Sequence, residues 1–237
     1  MALPMNNTPT YTLVLPSTGK EVKYRPFLIK EEKALLLAHQ SEDPKVMVES
    51  LKGVIKSCLK DNIDVDTFAT FDIEYVFTQI RAKSVGEIAE LMIRCDTCED
   101  EKAVAKVEID LTKIQVEKDQ AHTNNIELFD DVGVLMKYPT IDVIKKLENL
   151  DSANLDAVFS IVIECIDAIY DSSQVYHAKE QSKEELLQFL NNLSSEQFAK
   201  VQKFFETMPK LRHGIDYKCP VCNKEHHKVL EGLQSFF

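Results

Sequence analysis

Glu90-Leu-Met-Ile-Arg-Cys-Asp-Thr-Cys98 and Ile215-Asp-Tyr-Lys-Cys-Pro-Val-Cys222 each carry a strand-like run directly into a Cys-x-x-Cys pair. Strand-like sequence also leads away from each pair, as Ala103-Val-Ala-Lys-Val-Glu-Ile109 after the first and His226-His-Lys-Val-Leu230 after the second. Strand on both sides of a tight turn reads as a β-hairpin, so both pairs are expected as knuckles at hairpin tips. Zn²⁺ favours four tetrahedral ligands with thiolate sulfur at about 2.3 Å, and two knuckles turned face to face supply a closed Cys₄ shell. The pattern therefore nominates Cys95, Cys98, Cys219 and Cys222 as the ligands of one structural Zn²⁺, in a two-knuckle zinc ribbon split by the whole stretch from 99 to 218. That separation is longer than in a familiar ribbon. It is tolerable if the intervening chain is a lobe whose ends return to one place, because loop-closure cost grows only logarithmically with length. The bland alternative is two thiol pairs that bind nothing. A thioredoxin-type redox pair is disfavoured, since neither pair opens a helix after a strand.

His226 and His227 follow Cys222 closely enough to replace a cysteine in principle, but four thiolates already complete the shell. They read as partly exposed strand residues, and His39, His122, His177 and His213 are isolated, so no histidine is assigned a catalytic role. A closed thiolate shell leaves no position for water, which makes the expected site structural rather than catalytic. Cys58 and Cys165 stand alone in apolar helical patterns and read as small core hydrophobes. Asp130 with Asp131 and Glu99-Asp100-Glu101 read as solvated turn charges, and Phe198, Phe204 and Phe205 as core. No GxGxxG, Walker-type or GxSxG motif occurs. A metal-dependent hydrolase would need an open metal position and a nearby general base, and the sequence nominates neither, so the chain is read as no enzyme.

Around the knuckles the chain alternates between periods. Tyr11-Thr-Leu-Val-Leu15 and Glu21-Val-Lys-Tyr-Arg25 flank the turn Pro16-Ser-Thr-Gly19 and read as an N-terminal β-hairpin. A helix is expected from Lys30 to His39 with Leu35, Leu36 and Leu37 on its apolar side. A second opens at the cap Asp43-Pro44 and places Met47, Leu51, Val54, Ile55, Cys58 and Leu59 on one face. A third begins near Asp72 with Ile73, Val76, Phe77 and Ile80 inward. After the first knuckle, Lys113 to Glu117, Ile126 to Phe129 and Val132 to Tyr138 continue as β structure. Helices are then expected at Ile141 to Leu150, at Leu155 to Tyr170, and behind two capping boxes, Ser182-Lys-Glu-Glu185 and Ser194-Ser-Glu-Gln197. A short strand-like end follows Pro209. The expected fold is α+β: residues 1–138 form a mixed lobe with the first knuckle, 139–211 a helical lobe, and 212–237 the second knuckle and a tail packing back on the first lobe. The terminal Phe236 and Phe237 either fold back or enter a partner.

The 237 residues carry 28 Lys and Arg against 39 Asp and Glu, a net charge of -11. Such a balance repels a phosphate backbone and opposes nucleic acid as a partner. The rival reading, a zinc-ribbon nucleic-acid adaptor, would need a basic stripe on one folded face. No stretch approaches the length of a membrane-spanning helix, and the first residues lack a signal-peptide pattern, so a cytosolic protein without membrane contact is expected.

The segment Thr8-Pro-Thr-Tyr-Thr-Leu-Val-Leu-Pro-Ser-Thr-Gly-Lys-Glu-Val-Lys-Tyr-Arg-Pro-Phe-Leu-Ile-Lys-Glu-Glu-Lys-Ala-Leu-Leu36 resembles the opening of the baseplate hub subunit family of T-even-like contractile-tailed phages. Phe71-Asp-Ile-Glu-Tyr-Val-Phe-Thr-Gln-Ile-Arg-Ala-Lys-Ser-Val-Gly-Glu87 resembles its next signature and Leu230-Glu-Gly-Leu-Gln-Ser-Phe-Phe237 its terminus. The resemblance implies a late structural or chaperone-like assembly protein of the tail baseplate hub, without a catalytic centre. It would dock onto other hub or tail proteins, possible homo-oligomers included, in the virion or in the host cytoplasm during assembly. The four-cysteine site is not implied by the resemblance and rests on spacing alone.

Overall fold

The computed structural model of the chain describes residues 7–41, 43–98, 100–143 and 155–236. It is mixed α and β, with several small antiparallel sheets. The chain divides into two compact units, residues 1–65, 71–117 and 210–237 in the first and residues 66–70 and 118–209 in the second. The break expected between 138 and 139 falls inside the second unit.

The first unit opens with β1 (Tyr11–Val14) and β2 (Glu21–Tyr24), paired antiparallel with Tyr11 opposite Tyr24. Their turn needs a left-handed residue, supplied by Gly19 at φ 69°, where glycine avoids the Cβ clash. Helix α1 (Ile29–Gln40) follows, then α2 (Pro44–Cys58), which starts as its sequence dictates: the Asp43 carboxylate accepts from the Lys45 N–H, with proline in the first turn. Leu51, Val54, Ile55 and Cys58 of α2 are buried. The leucine run of α1 behaves differently from its expectation, since Leu36 and Leu37 are 58% and 57% exposed and Leu35 is half-buried. Three consecutive residues sweep too wide an arc of a helix to share one buried face; Ala38 and the Arg25-paired Glu31 occupy that face instead.

Helix α3 (Thr70–Ser84) buries Phe71, Ile73, Val76, Phe77, Ile80 and Ala82. Beyond it, β3 (Ile88–Arg94) pairs with β4 (Val104–Asp110) in a hairpin that places Ile93 opposite Ala105. At the other end of the sequence, β10 (Lys210–Lys218) pairs with β11 (Glu225–Glu231) and with β5 (Gln115–Glu117), giving the strand order β11-β10-β5. Alternation sends Ala89, Ile93, Ala105 and Ile109 of one hairpin and Leu211, Ile215, Tyr217 and Leu230 of the other into one core cluster, joined by Leu111 and Ile114. That shared core fixes the two knuckles as neighbours.

The second unit holds a four-stranded antiparallel sheet in the order β6-β7-β8-β9, formed by Asn125–Phe129, Val132–Met136, Ile166–Tyr170 and Val175–His177. Helices α4 (Leu155–Cys165), α5 (Lys183–Asn191) and α6 (Ser195–Thr207) accompany it. Both capping boxes form as their sequences specify. The expected helix over Leu155 to Tyr170 stops at Cys165, and its last five residues are β8. Pairing with β7, with Val134 opposite Ile169, and with β9 satisfies those backbone groups on both sides. Gly133 of β7 is required by that arrangement, because a Cβ there would lie 2.2 Å from the Tyr170 hydroxyl. Residues 141–143 are helical; the remainder of the helix expected to Leu150 lies outside the described residues.

Candidate metal centre

Each knuckle is built by its hairpin. The Cys95 N–H donates to the Ala103 carbonyl at 2.8 Å, closing the first turn where β3 passes into β4. In the second turn the Cys219 N–H donates to the Lys224 carbonyl at 3.0 Å, and the Asn223 N–H donates back to the Cys219 carbonyl at 3.0 Å. Asn223 takes the left-handed conformation at φ 58°, which asparagine tolerates better than most residues.

The two turns bring all four nominated cysteines together, with their sulfur atoms within 4.8 Å of one another. Cys98 Sγ lies 3.8 Å from Cys219 Sγ and Cys95 Sγ lies 4.0 Å from Cys222 Sγ. A tetrahedron of sulfurs about 2.3 Å from one ion has edges of about 3.8 Å, so the cage has the size a single thiophilic ion requires. Cys95 and Cys219 are buried, Cys98 and Cys222 are half-buried, and the enclosed Ala103 completes the small cluster. All four are free thiols rather than disulfides. Four cysteines so placed can hold a metal ion.

The electrostatics of the cluster favour partial ionisation. Hydrogen bonding from the Thr97 hydroxyl, whose oxygen is 3.3 Å from Cys95 Sγ, brings the Cys95 thiol down to about 7. The Lys224 backbone N–H brings Cys222 down to about 5. Cys98 is pushed up to about 12, above all by its hydrogen bond with Cys222. Thiols this close share their protons, since each thiolate formed discourages the next, and a dication at the centre would relieve that repulsion.

The two adjacent histidines separate by strand parity. His226 turns toward the cysteines, with Nε2 3.4 Å from Cys95 Sγ, and stacks on Tyr217 at 5.2 Å between ring centroids. His227 points to the opposite face and pairs with Asp216 at 2.8 Å. Thr97 was not singled out by sequence, although its place inside the Cys-x-x-Cys turn is the signal that could have found it. His122 is buried in the second unit between the Thr207 and Tyr138 hydroxyls, each 3.0 Å from a ring nitrogen. Asp130 sits in the β6–β7 turn at φ 43°. Glu99 lies outside the described residues, and Asp100 accepts from the Lys102 N–H. The terminal segment is held to its own unit: the Gly232 N–H donates to Leu211 and the Leu233 N–H to Glu74. The Phe236 side chain and Phe237 lie outside the described residues. Among the described residues, no helix is long and apolar enough to cross a membrane.

Residues 8–237 match the family model described as T4 bacteriophage base plate protein, and the chain belongs to that family. A particular relative is the baseplate hub assembly protein gp26 of Enterobacteria phage T4, 22% identical over 220 residues, which span 92% of this chain and 93% of the relative. No solved structure matches the chain.

Proposed function

We propose that the protein is a structural or chaperone-like assembly component of a phage tail baseplate hub, without catalytic activity, which acts by docking onto other hub or tail proteins. The observation that carries this reading is the family match along residues 8–237, together with the near-complete coverage of a relative named for hub assembly. The acidic balance supports protein rather than nucleic acid as the partner. Work in the host cytoplasm during assembly, in the finished virion, or in both fits this role.

Within this reading Cys95, Cys98, Cys219 and Cys222 hold one structural Zn²⁺ that closes the two hairpins into a split ribbon. Four sulfur donors of tetrahedral size, two of them buried and two half-buried, support zinc, whose structural sites are closed. Leu233, Phe236 and Phe237 are the proposed anchor for a partner groove; their segment leaves the β10–β11 hairpin at the end opposite its knuckle, where the Gly232 N–H donates to the Leu211 carbonyl. Phage lacking the gene tests the function. The expected outcome is failure to complete tails, with hub intermediates accumulating and assembly restored by the gene supplied in trans. Infectious particles with normal baseplates would contradict the hub role. A chain ending at Leu233, which keeps the Glu74 contact, is expected to fold but not to restore assembly; full restoration would remove the aromatic residues from the interface.

A further inference from the structure

We infer that His226 is a positioning residue of the metal centre, donating its Nε2 N–H to the Cys95 thiolate. The inference rests on the zinc reading of the four cysteines. Three observations converge on it. Nε2 stands 3.4 Å from Cys95 Sγ, a hydrogen-bonding distance for sulfur. The imidazole is held in plane by Tyr217, directly opposite it in the β10–β11 register, with ring centroids 5.2 Å apart and only 18° between planes. Tyr217 is itself buried, at 7% exposure, with its hydroxyl 3.5 Å from the carbonyl of Arg94, the residue before Cys95. The histidine is therefore braced against the same strand end that delivers the sulfur.

The chemistry gives that contact a purpose. Four thiolates carry more charge than one dication cancels, and donors aimed at sulfur lower both its basicity and its freedom to move. The Cys222 N–H already points at Cys219 Sγ at 3.5 Å, and the Thr97 hydroxyl reaches Cys95. His226 is the side-chain ring donor delivered from the opposite knuckle's hairpin, so it links the first pair to the second strand pair directly. Outer partners of this kind orient ligands and tune metal affinity. His227, one residue on, is turned to Asp216 and serves as an internal control.

Full-length protein carrying His226→Phe keeps a ring to stack on Tyr217 but loses the N–H. Its zinc affinity, read by chelator competition, is expected to fall by about 10–100-fold. With Co²⁺ as the probe, the thiolate-to-metal absorption is expected to move to lower energy, because a sulfur without its donor gives up an electron more easily. His226→Gln, which retains an N–H, should recover part of both effects, and His227→Phe should change neither. If His226→Phe matches the unaltered protein in affinity and in its cobalt spectrum, the histidine is only a stacked strand residue and the inference falls. If the unaltered protein takes up neither metal, the zinc reading falls and takes the inference with it.

Discussion

His122 shows how a single side chain can set a stability window. Its ring lies 5.6 Å from Tyr138 and 5.1 Å from Phe204, and its two nitrogens meet the Thr207 and Tyr138 hydroxyls. Burial first, and the Lys118 charge second, hold its pKa below the usual imidazole value. Because the folded form refuses a proton that the unfolded chain accepts, this contribution is present above about pH 6.5 and is lost as pH falls toward the folded pKa. Urea unfolding at about pH 7.5 and pH 5.5 should show a smaller pH dependence in His122→Gln than in the unaltered protein; equal slopes would contradict it. Sequence alone marked this histidine as isolated, since its hydroxyl partners Tyr138 and Thr207 come from distant positions. By contrast, the identity of the four clustered cysteines was legible from their spacing. Which neighbouring histidine faces them was not, because that depends on strand parity across a hairpin, and a one-residue change of register would exchange His226 for His227.

Elements with local signals were the readable ones. The proline after Asp43, the two capping boxes and the alternation around each Cys-x-x-Cys pair specify their own starts and turns through contacts within a few residues. Ser194 accepts from the Gln197 N–H while the Gln197 side chain accepts from the Ser194 N–H. Replacing Ser194 by Ala should therefore cost about 1 kcal/mol of stability in the second unit, measured by urea unfolding, with Ser194→Asp close to neutral. A loss below the error of the measurement would mean that packing of Val201 and Phe204 holds α6 without its cap. The passage from α4 to β8 was not readable for the opposite reason. Val162, Cys165, Ile166 and Ile169 fit a helical stripe, while Ile166 and Ala168 equally fit one face of a strand. What decides between them is a partner strand, β7, some thirty residues earlier in the chain. The three-residue β9 carries too short a pattern to be recognised by period at all. The exposed Leu36 and Leu37 of α1 follow instead from helical geometry, since three consecutive residues cannot share the face that Glu31 and Ala38 bury.

At the scale of the molecule, the decisive feature is that the first unit is assembled from both ends of the sequence, with residues 118–209 set between its parts. The α+β class and the meeting of the knuckles were legible because each hairpin has its own signature and metal chemistry demands four donors. The sheet of the second unit was hidden, since its β6 and β7 read as a continuation of the first. A metal ion joining Cys95 and Cys98 to Cys219 and Cys222 would tie those sequence ends in addition to the β5–β10 pairing, the shared apolar core and the Leu233–Glu74 and Tyr217–Arg94 hydrogen bonds. Removing one ligand, as in Cys219→Ser, should then increase hydrogen exchange in β10 and β11 while α6 remains protected. The most direct measurement is the metal content of full-length protein purified under reducing conditions without chelator, with alkylation of the native thiols followed alongside. The account predicts close to one zinc per chain and four knuckle cysteines that resist alkylation until a chelator is added. Protein with no bound zinc, and with those four cysteines freely alkylated in the native state, would contradict it.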